Sequence, residues 1–280
     1  MDPEKIIIRN MTRSELDQTM QRAAQEGWNP GLGDAEVYWA QDPGGFWVAE
    51  QNGQVLASIS AVIYDDAYAF MGFFITRPEL RKQGLGLKLG LAAMARLGNR
   101  VIGQDGVVAM QDFYRRHGFE LAFRGLRWQA QGGGAASGHS VDPRSLPIEE
   151  LLAYDRQCFP APRPVFLQKW LSAPGAHARA VIAGDRLRGY GVVRPSHQGH
   201  RLGPLFAEGR AEAETLLQDL LAAAGESPVF WDAPQNNPHA VAMAQSMGLT
   251  HVFETGRMYK NGLPPWRAEN VYGLTCLELG

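Results

Sequence analysis

The stretch Phe74-Ile75-Thr76-Arg77-Pro78-Glu79-Leu80-Arg81-Lys82-Gln83-Gly84-Leu85-Gly86 narrows what this chain can fold into more than any other. Residues 68–76 form an apolar, β-rich run, and Pro78 stops it by removing a backbone donor and fixing φ. A short loop then feeds residues 87–97, an apolar run with almost no polar face, which reads as a buried helix. The first amides of a helix lack internal partners and sit at the positive end of its dipole. Gly84 and Gly86 carry no Cβ, so an anion can approach those amides closely, and Arg81 and Lys82 add charge at the rim. Strand, proline, loop and helix in this order describe a cradle for a pyrophosphate. It is not a Walker loop, because no Gly-Lys-Ser/Thr follows Gly86. A Rossmann fingerprint does not fit either, since an antiparallel hairpin precedes the loop rather than a βαβ unit.

Local geometry has to hold any anion here. The 280 residues carry a net charge of -2, so no basic field draws in nucleic acid or an anionic membrane. A hydrophobic share of 45% is enough for sizeable cores. Cys158 and Cys276 fit neither a zinc cluster nor a disulfide framework, so no metal is implied. Met1-Asp2-Pro3-Glu4-Lys5 lacks the basic-then-apolar order of a signal peptide, and no apolar run is long enough to span a bilayer. A cytoplasmic protein is expected. Residues 131–140, QGGGAASGHS, offer little to pack and read as a flexible connector. The expected division is residues 1–128, a linker at 129–141, and residues 142–280.

The first part reads as α+β. Thr12 and Glu15 form a capping box ahead of an apolar face made by Leu16, Met20, Ala23 and Ala24. Residues 31–40 give a second, shorter helix. Residues 46–51 and 54–64 make a hairpin around Asn52-Gly53, the strongest short-range hairpin signal. Residues 100–104 read as a strand, 110–117 as a helix, and 119–128 as a closing strand pair. The second part repeats this order: helices at 148–159 and 165–172, a hairpin at 180–193, and a strand at 202–206. A helix at 211–224, a strand at 229–232, a helix at 238–247 and a strand at 251–259 follow. Two copies of one supersecondary order imply a duplicated domain.

With Arg81, Gly84 and Gly86 as Arg-x-x-Gly-x-Gly after the fourth strand, the chain resembles the GNAT superfamily of N-acetyltransferases. A second segment, Phe113-Tyr114-Arg115-Arg116-His117-Gly118-Phe119, is similar to that family's Tyr-x-x-x-Gly-Phe signature. The resemblance implies two tandem GNAT-like domains, each a mixed, mostly antiparallel sheet flanked by helices. It implies acetyl-CoA as co-substrate, its pyrophosphate on the amides of Arg81, Lys82, Gln83, Gly84, Leu85 and Gly86. Its pantetheine would lie along Phe74, Ile75 and Thr76. The implied reaction is acetyl transfer to a primary amine, on a small molecule or a peptide. Tyr114 matches the tyrosine that protonates the departing thiolate, a role a phenol can fill. The family often has Asn seven residues earlier, where Val107 stands.

No base is named clearly. Asp105 follows the fifth strand and either faces the acetyl group or makes an Asp-Gly turn with Gly106. Asp34 and Glu36 fall in the region that covers the acceptor site in such proteins, although exposed helix carboxylates are common. His117 sits beside a helix C-terminus, where a solvated imidazole is expected.

The second part looks GNAT-like without its cradle. Ala207-Glu208-Gly209-Arg210-Ala211-Glu212-Ala213-Glu214 has one glycine and puts carboxylates where an anion would dock. Asn237 matches the family's asparagine, yet Ala244 stands at the tyrosine position. A silent domain is expected that walls the acceptor pocket, contacts a second copy or covers apolar surface, with Trp170, Phe206, Trp231 and Tyr259 in its core. The alternative reading is a non-catalytic acyl-CoA sensor or an interaction protein.

Overall fold

The computed structural model describes residues 5–280. Met1 to Glu4, most of the segment read above for a signal peptide, lie outside the described residues. In chain order the first half holds β1 (Ile7–Asn10), α1 (Arg13–Gln25), α2 (Asp34–Gln41), β2 (Phe46–Gln51), β3 (Gln54–Ile63) and β4 (Tyr68–Thr76). It continues with α3 (Leu85–Leu97), β5 (Val101–Val107), α4 (Gln111–Arg116) and β6 (Glu120–Gln131). The second holds α5 (Ile148–Cys158), α6 (Pro164–Leu171), β7 (His177–Ala183), β8 (Arg186–Pro195), β9 (His200–Ala207) and α7 (Arg210–Ala223). β10 (Pro228–Pro234), α8 (Pro238–Ser246), β11 (Thr250–Lys260) and β12 (Val271–Gly273) complete it.

Local signals act as their chemistry dictates. The Thr12 side chain accepts from the Glu15 amide while Glu15 reaches back to the cap, opening α1. Asn52 and Gly53, at φ 53 and 76, turn the chain between β2 and β3. The closing strand pair expected at residues 119–128 is a single strand, β6, and its hydrogen-bond partners come from the second half.

Those partners make the two expected sheets into one. The order is β1-β2-β3-β4-β5-β11-β6-β10-β9-β8-β7, with β12 beside β9. Each half thus contributes its last long strand to the other. β11 pairs antiparallel with β5, β6 with β10, and β6 and β11 with each other. On one face, α1, α2, α5 and α6 share a core: Tyr38 stacks against Phe166 and Trp170, at 6.4 and 6.2 Å between ring centroids. Trp170, Phe206, Trp231 and Tyr259 are all buried, as expected of core residues.

Two local differences follow from tertiary packing. The segment expected as a flexible connector lies along α7: Gly132 and Gly133 donate to Ser227 and Leu221 carbonyls, and the Ser137 amide donates to Asp219. Its first residues, through Gln131, belong to β6. α3, expected to be buried all round, covers the sheet only with Leu85, Leu89, Ala93 and Leu97, leaving Leu87 and Leu91 40% and 58% exposed.

Candidate active site

β4 and β5 run parallel only from Tyr68 opposite Val101 to Met71 opposite Gln104. Beyond that point they part. β4 carries one extra residue against β3, between Gly72 opposite Ser60 and Ile75 opposite Ser58. Phe73 takes that bulge in the left-handed region, at φ 49, a conformation phenylalanine rarely adopts. The bulge turns β4 away, so residues 72–76 form no ladder with β5, while the Phe73 and Thr76 carbonyls accept from the side chains of Ser58 and Arg81. Phe73 then packs with Tyr38 on the α1/α2 face, whereas Phe74 points to α3 and α4.

A cavity of about 70 Å³ occupies the opening. Phe74, Met110 and Tyr114 line it on the α3/α4 face; Trp28, Phe73, Leu277 and Glu278 line it on the other. Gln104, Asp105 and Thr255 also reach it. Beyond Phe74 and Tyr114, a wholly apolar slot lies between Leu87, Gly90, Leu91 and Met94 of α3 and Phe113 and His117 near α4. The exposed leucines of α3 therefore wall this slot, which shares Met71, Phe74 and Tyr114 with the cavity.

The loop directly precedes Leu87, the first α3 residue on the slot. Gly84 caps α3 at φ 82 and Lys82 sits at φ 63, both in the left-handed region. Among the described residues the amides of Lys82, Gln83, Gly84, Leu85, Gly86 and Leu87 donate to no partner. A Cβ on Gly86 would stand 3.0 Å from Phe74 and 3.3 Å from Thr76, so this glycine lets α3 close on β4. Arg81 is tied down: its Nε donates to the Thr76 carbonyl at 3.0 Å, and its guanidinium pairs with Glu26. Of the strand residues expected along a pantetheine, Phe74 lines both cavities. Ile75 turns its side chain into the opposite core, so that it offers backbone alone. Thr76 lies beside Gly86.

Tyr114 sets one edge of its ring against Gly106, where a Cβ would come within 2.8 Å of it. Its hydroxyl makes no hydrogen bond among the described residues, and burial pushes the phenol up to about 12. Asp105 is placed differently from a free base. Arg257 of β11, directly across the ladder, grips both its oxygens at 2.9 and 2.7 Å, and the pair is buried. Burial pushes the Asp105 carboxyl up, opposed by the attraction of Arg257. Asp34, grouped with the exposed helix carboxylates, is buried and held by Arg194 at 2.7 and 2.9 Å. Glu36 is exposed and pairs with Arg13 and Lys169. His117 binds the Phe113 carbonyl through Nδ1 and lines the apolar slot.

The second half repeats the opening and fills it. β9 also bulges against β8, between Leu202 and Leu205, and β9 and β10 stop pairing at Leu202 opposite Trp231. β12 enters there and pairs with β9 at Leu205 and Phe206. The Trp231 indole donates to Tyr272, and the Leu274 amide to Asp232. Asn237 caps α8 with its oxygen while its amide nitrogen donates to Glu269 and Val271. Glu208, at the degenerate loop, pairs with Arg186 and Arg188.

Both halves match models of an acetyltransferase (GNAT) domain, at residues 42–121 and 151–273. The holothin acyltransferase of Pseudoalteromonas sp. (strain SANK 73390) is 31% identical over 265 residues, which span 92% of this chain and 89% of that one. The chain belongs to the GNAT acyltransferase family. Among solved structures, a putative acetyltransferase from Pyrococcus horikoshii superposes with a TM-score of 0.83 at 17% identity, over 100% of this chain and 98% of that one. A tandem GNAT protein from the clavulanic acid biosynthesis pathway gives 0.62 at 15%, over 92% and 99%. At those identities the likeness concerns the fold. As a GNAT acyltransferase the chain has an opening in each half. One holds a cavity, and the other is occupied by its own β12.

Proposed function

We propose that this acyltransferase moves an acetyl group from acetyl-CoA to an amine by direct attack in the β4/β5 opening of the first half. The observation that carries this is one path: free amides at residues 82–87, then the apolar slot, then a cavity with Tyr114 on its wall. The amides would hold the pyrophosphate and the slot the pantetheine. Phe74 to Thr76 would align the thioester through the edge of β4 that forms no ladder with β5. The amine nitrogen attacks the carbonyl carbon, the carbon–sulfur bond breaks, and the Tyr114 hydroxyl gives its proton to the leaving sulfur. A phenol held near 12 stays protonated at neutral pH, as a general acid must. A cavity of about 70 Å³ suits an acetyl group and a small amine head rather than a long acyl chain. Residues 1–128 would carry the acetyl-CoA site and Tyr114, and the GNAT unit in residues 142–280, its opening occupied, would complete the cavity wall with Leu277 and Glu278.

The test is release of coenzyme A thiol from acetyl-CoA with a panel of amines: holothin, benzylamine, aniline and a lysine peptide. Turnover is expected with at least one, and Tyr114→Phe should lower kcat by about 10²-fold or more. Acetyl-CoA at about 100 times its dissociation constant should add about 2.7 kcal/mol of stability, and Gly84→Glu should abolish that gain. Binding without turnover would leave a sensor. No stabilisation at all would refute the site.

A further inference from the structure

The carboxylates near the cavity differ in one respect. Asp105 is clamped by Arg257, Asp34 by Arg194, and Asp232 by Arg127 and Arg201. Glu278 makes no ion pair among the described residues, although it is buried and lines the cavity. Its Oε2 accepts from the Leu277 amide at 3.1 Å and from the Tyr38 hydroxyl at 3.3 Å. Its Oε1 is buried with no partner among the described residues. A buried carboxylate oxygen with no donor costs stability unless something else uses it. It stands on the α1/α2 side with Trp28 and Phe73, across the opening from Tyr114.

Its position is fixed by the chain segment that plugs the second half. After β12, residues 274–280 cross to the first half, where a Cβ at Gly72, on the β4 bulge, would collide with the Glu278 carbonyl. The Tyr64 hydroxyl donates to Leu279 at 2.8 Å, holding the far side.

We propose that Glu278 is the catalytic base of the acyl transfer, its free oxygen receiving the proton of the incoming ammonium. This rests on the reading of the β4/β5 opening above. The carboxylate takes one proton from the ammonium, and the lone pair so released forms the carbon–nitrogen bond. The sulfur leaves with the Tyr114 proton, the phenolate recovers it from the new amide nitrogen, and Glu278 returns its own to solvent. Atoms and charges balance without a further reactant. Burial pushes the Glu278 carboxyl up, toward the range in which a base works. The groups facing it are Tyr38 and Asp34 of α2, Arg194 of β8, Arg201 of β9, Arg127 of β6 and Cys276 of its own segment.

The experiment compares the full chain with E278Q, using acetyl-CoA and the fastest amine of the panel, or water as acceptor where no amine reacts. Calorimetry comes first: wild-type protein that ignores acetyl-CoA fails the underlying reading, before any variant is made. With binding intact in both proteins, E278Q should lose roughly 10²- to 10⁴-fold in kcat and the acid limb of the pH profile. The loss should shrink severalfold for aniline, already neutral at assay pH, relative to benzylamine. Full activity in E278Q overturns the proposal. So does an equal loss with both amines, or bound acetyl-CoA transferred to neither amine nor water. Should E278Q not fold, the wild-type profile decides, since a limb of equal size with both amines also overturns it.

Discussion

Gly106→Ala tests whether Tyr114 works where it stands. The added Cβ would lie 2.8 and 2.9 Å from two ring carbons of Tyr114, against 3.4 Å for ordinary contact. The ring must therefore retreat by about 0.6 Å, and the hydroxyl, further from the hinge at Cα, by more. It retreats into Phe113 and Phe119, whose rings stand 5.7 and 6.2 Å away in edge contacts. Overpacking of this kind costs about 1–3 kcal/mol, which in a protein of this size lowers Tm by roughly 2–6 °C. Misplacing a catalytic group by about 1 Å can cost about 10²-fold, so kcat should fall roughly 10- to 50-fold, with little change in KM for acetyl-CoA. The assay is thiol release by the single variant, by Tyr114→Phe and by the double variant. If Gly106 acts through the hydroxyl, Gly106→Ala should have little effect on kcat once Tyr114 is phenylalanine. The same fold-loss in both backgrounds, or wild-type kcat in the single variant, would refute the reasoning.

Three further variants concern stability. Arg257→Ala strands the Asp105 carboxylate in the core and removes a guanidinium that sits 5.0 Å over the Phe70 ring; it should cost about 3–5 kcal/mol by urea unfolding at pH 8. Without Arg257, burial alone raises the Asp105 carboxyl above its unfolded value of 3.8, so stability is lost as pH rises through the folded value and the deficit should narrow at pH 5. Thr12→Ala removes the α1 cap and should cost about 1 kcal/mol at neutral pH. Its partner Glu15, hydrogen-bonded to Arg9, is held down to about 2 from 4.5. That contribution is present above about 4.5 and fades as pH falls toward 2, which acid titrations of Arg9→Met against wild type should show as a smaller acid loss in the variant.

What the sequence revealed was local. Thr12 and Glu15, Asn52-Gly53, and the run from Pro78 through Gly86 each act within a few residues, where backbone sterics and unpaired amides dominate. Tyr114 is picked out by its place in a Tyr-x-x-x-Gly-Phe run, and the fold sets it beside Gly106. The rest depends on pairs far apart in the chain. Arg257 opposite Asp105 exists only because β11 crosses to pair with β5, and no spacing signals an exchange of strands. Asp34 reads as an exposed helix carboxylate until Arg194, 160 residues later, is laid beside it. Residues 87–97 read as buried all round because sequence gives hydrophobicity, whereas the exposed Leu87 and Leu91 line a slot. Glu278 had no signal: it follows a strand of three residues and gains meaning from contact with Gly72 and Tyr38.

The two openings share a geometric origin and diverge through a single segment. Each half bends its fourth-strand equivalent with one extra residue, so each parts its parallel pair and exposes backbone that must find partners. In the second half β12 supplies them from the same chain, and Glu208 at the loop pairs with Arg186 and Arg188. The first half is left with a β4 edge that forms no ladder with β5, and the same segment, continuing past β12, delivers Glu278 beside it. Strand exchange makes this delivery possible, because β6 and β11 pack side by side and bring the openings within reach of about eight residues of chain. An isolated first half would have the loop, the slot and Tyr114, but neither Arg257 against Asp105 nor Glu278 on the cavity wall. With Glu278 as the proposed base, the second unit would supply one group to the site of the first, and duplication would complete one site rather than provide two.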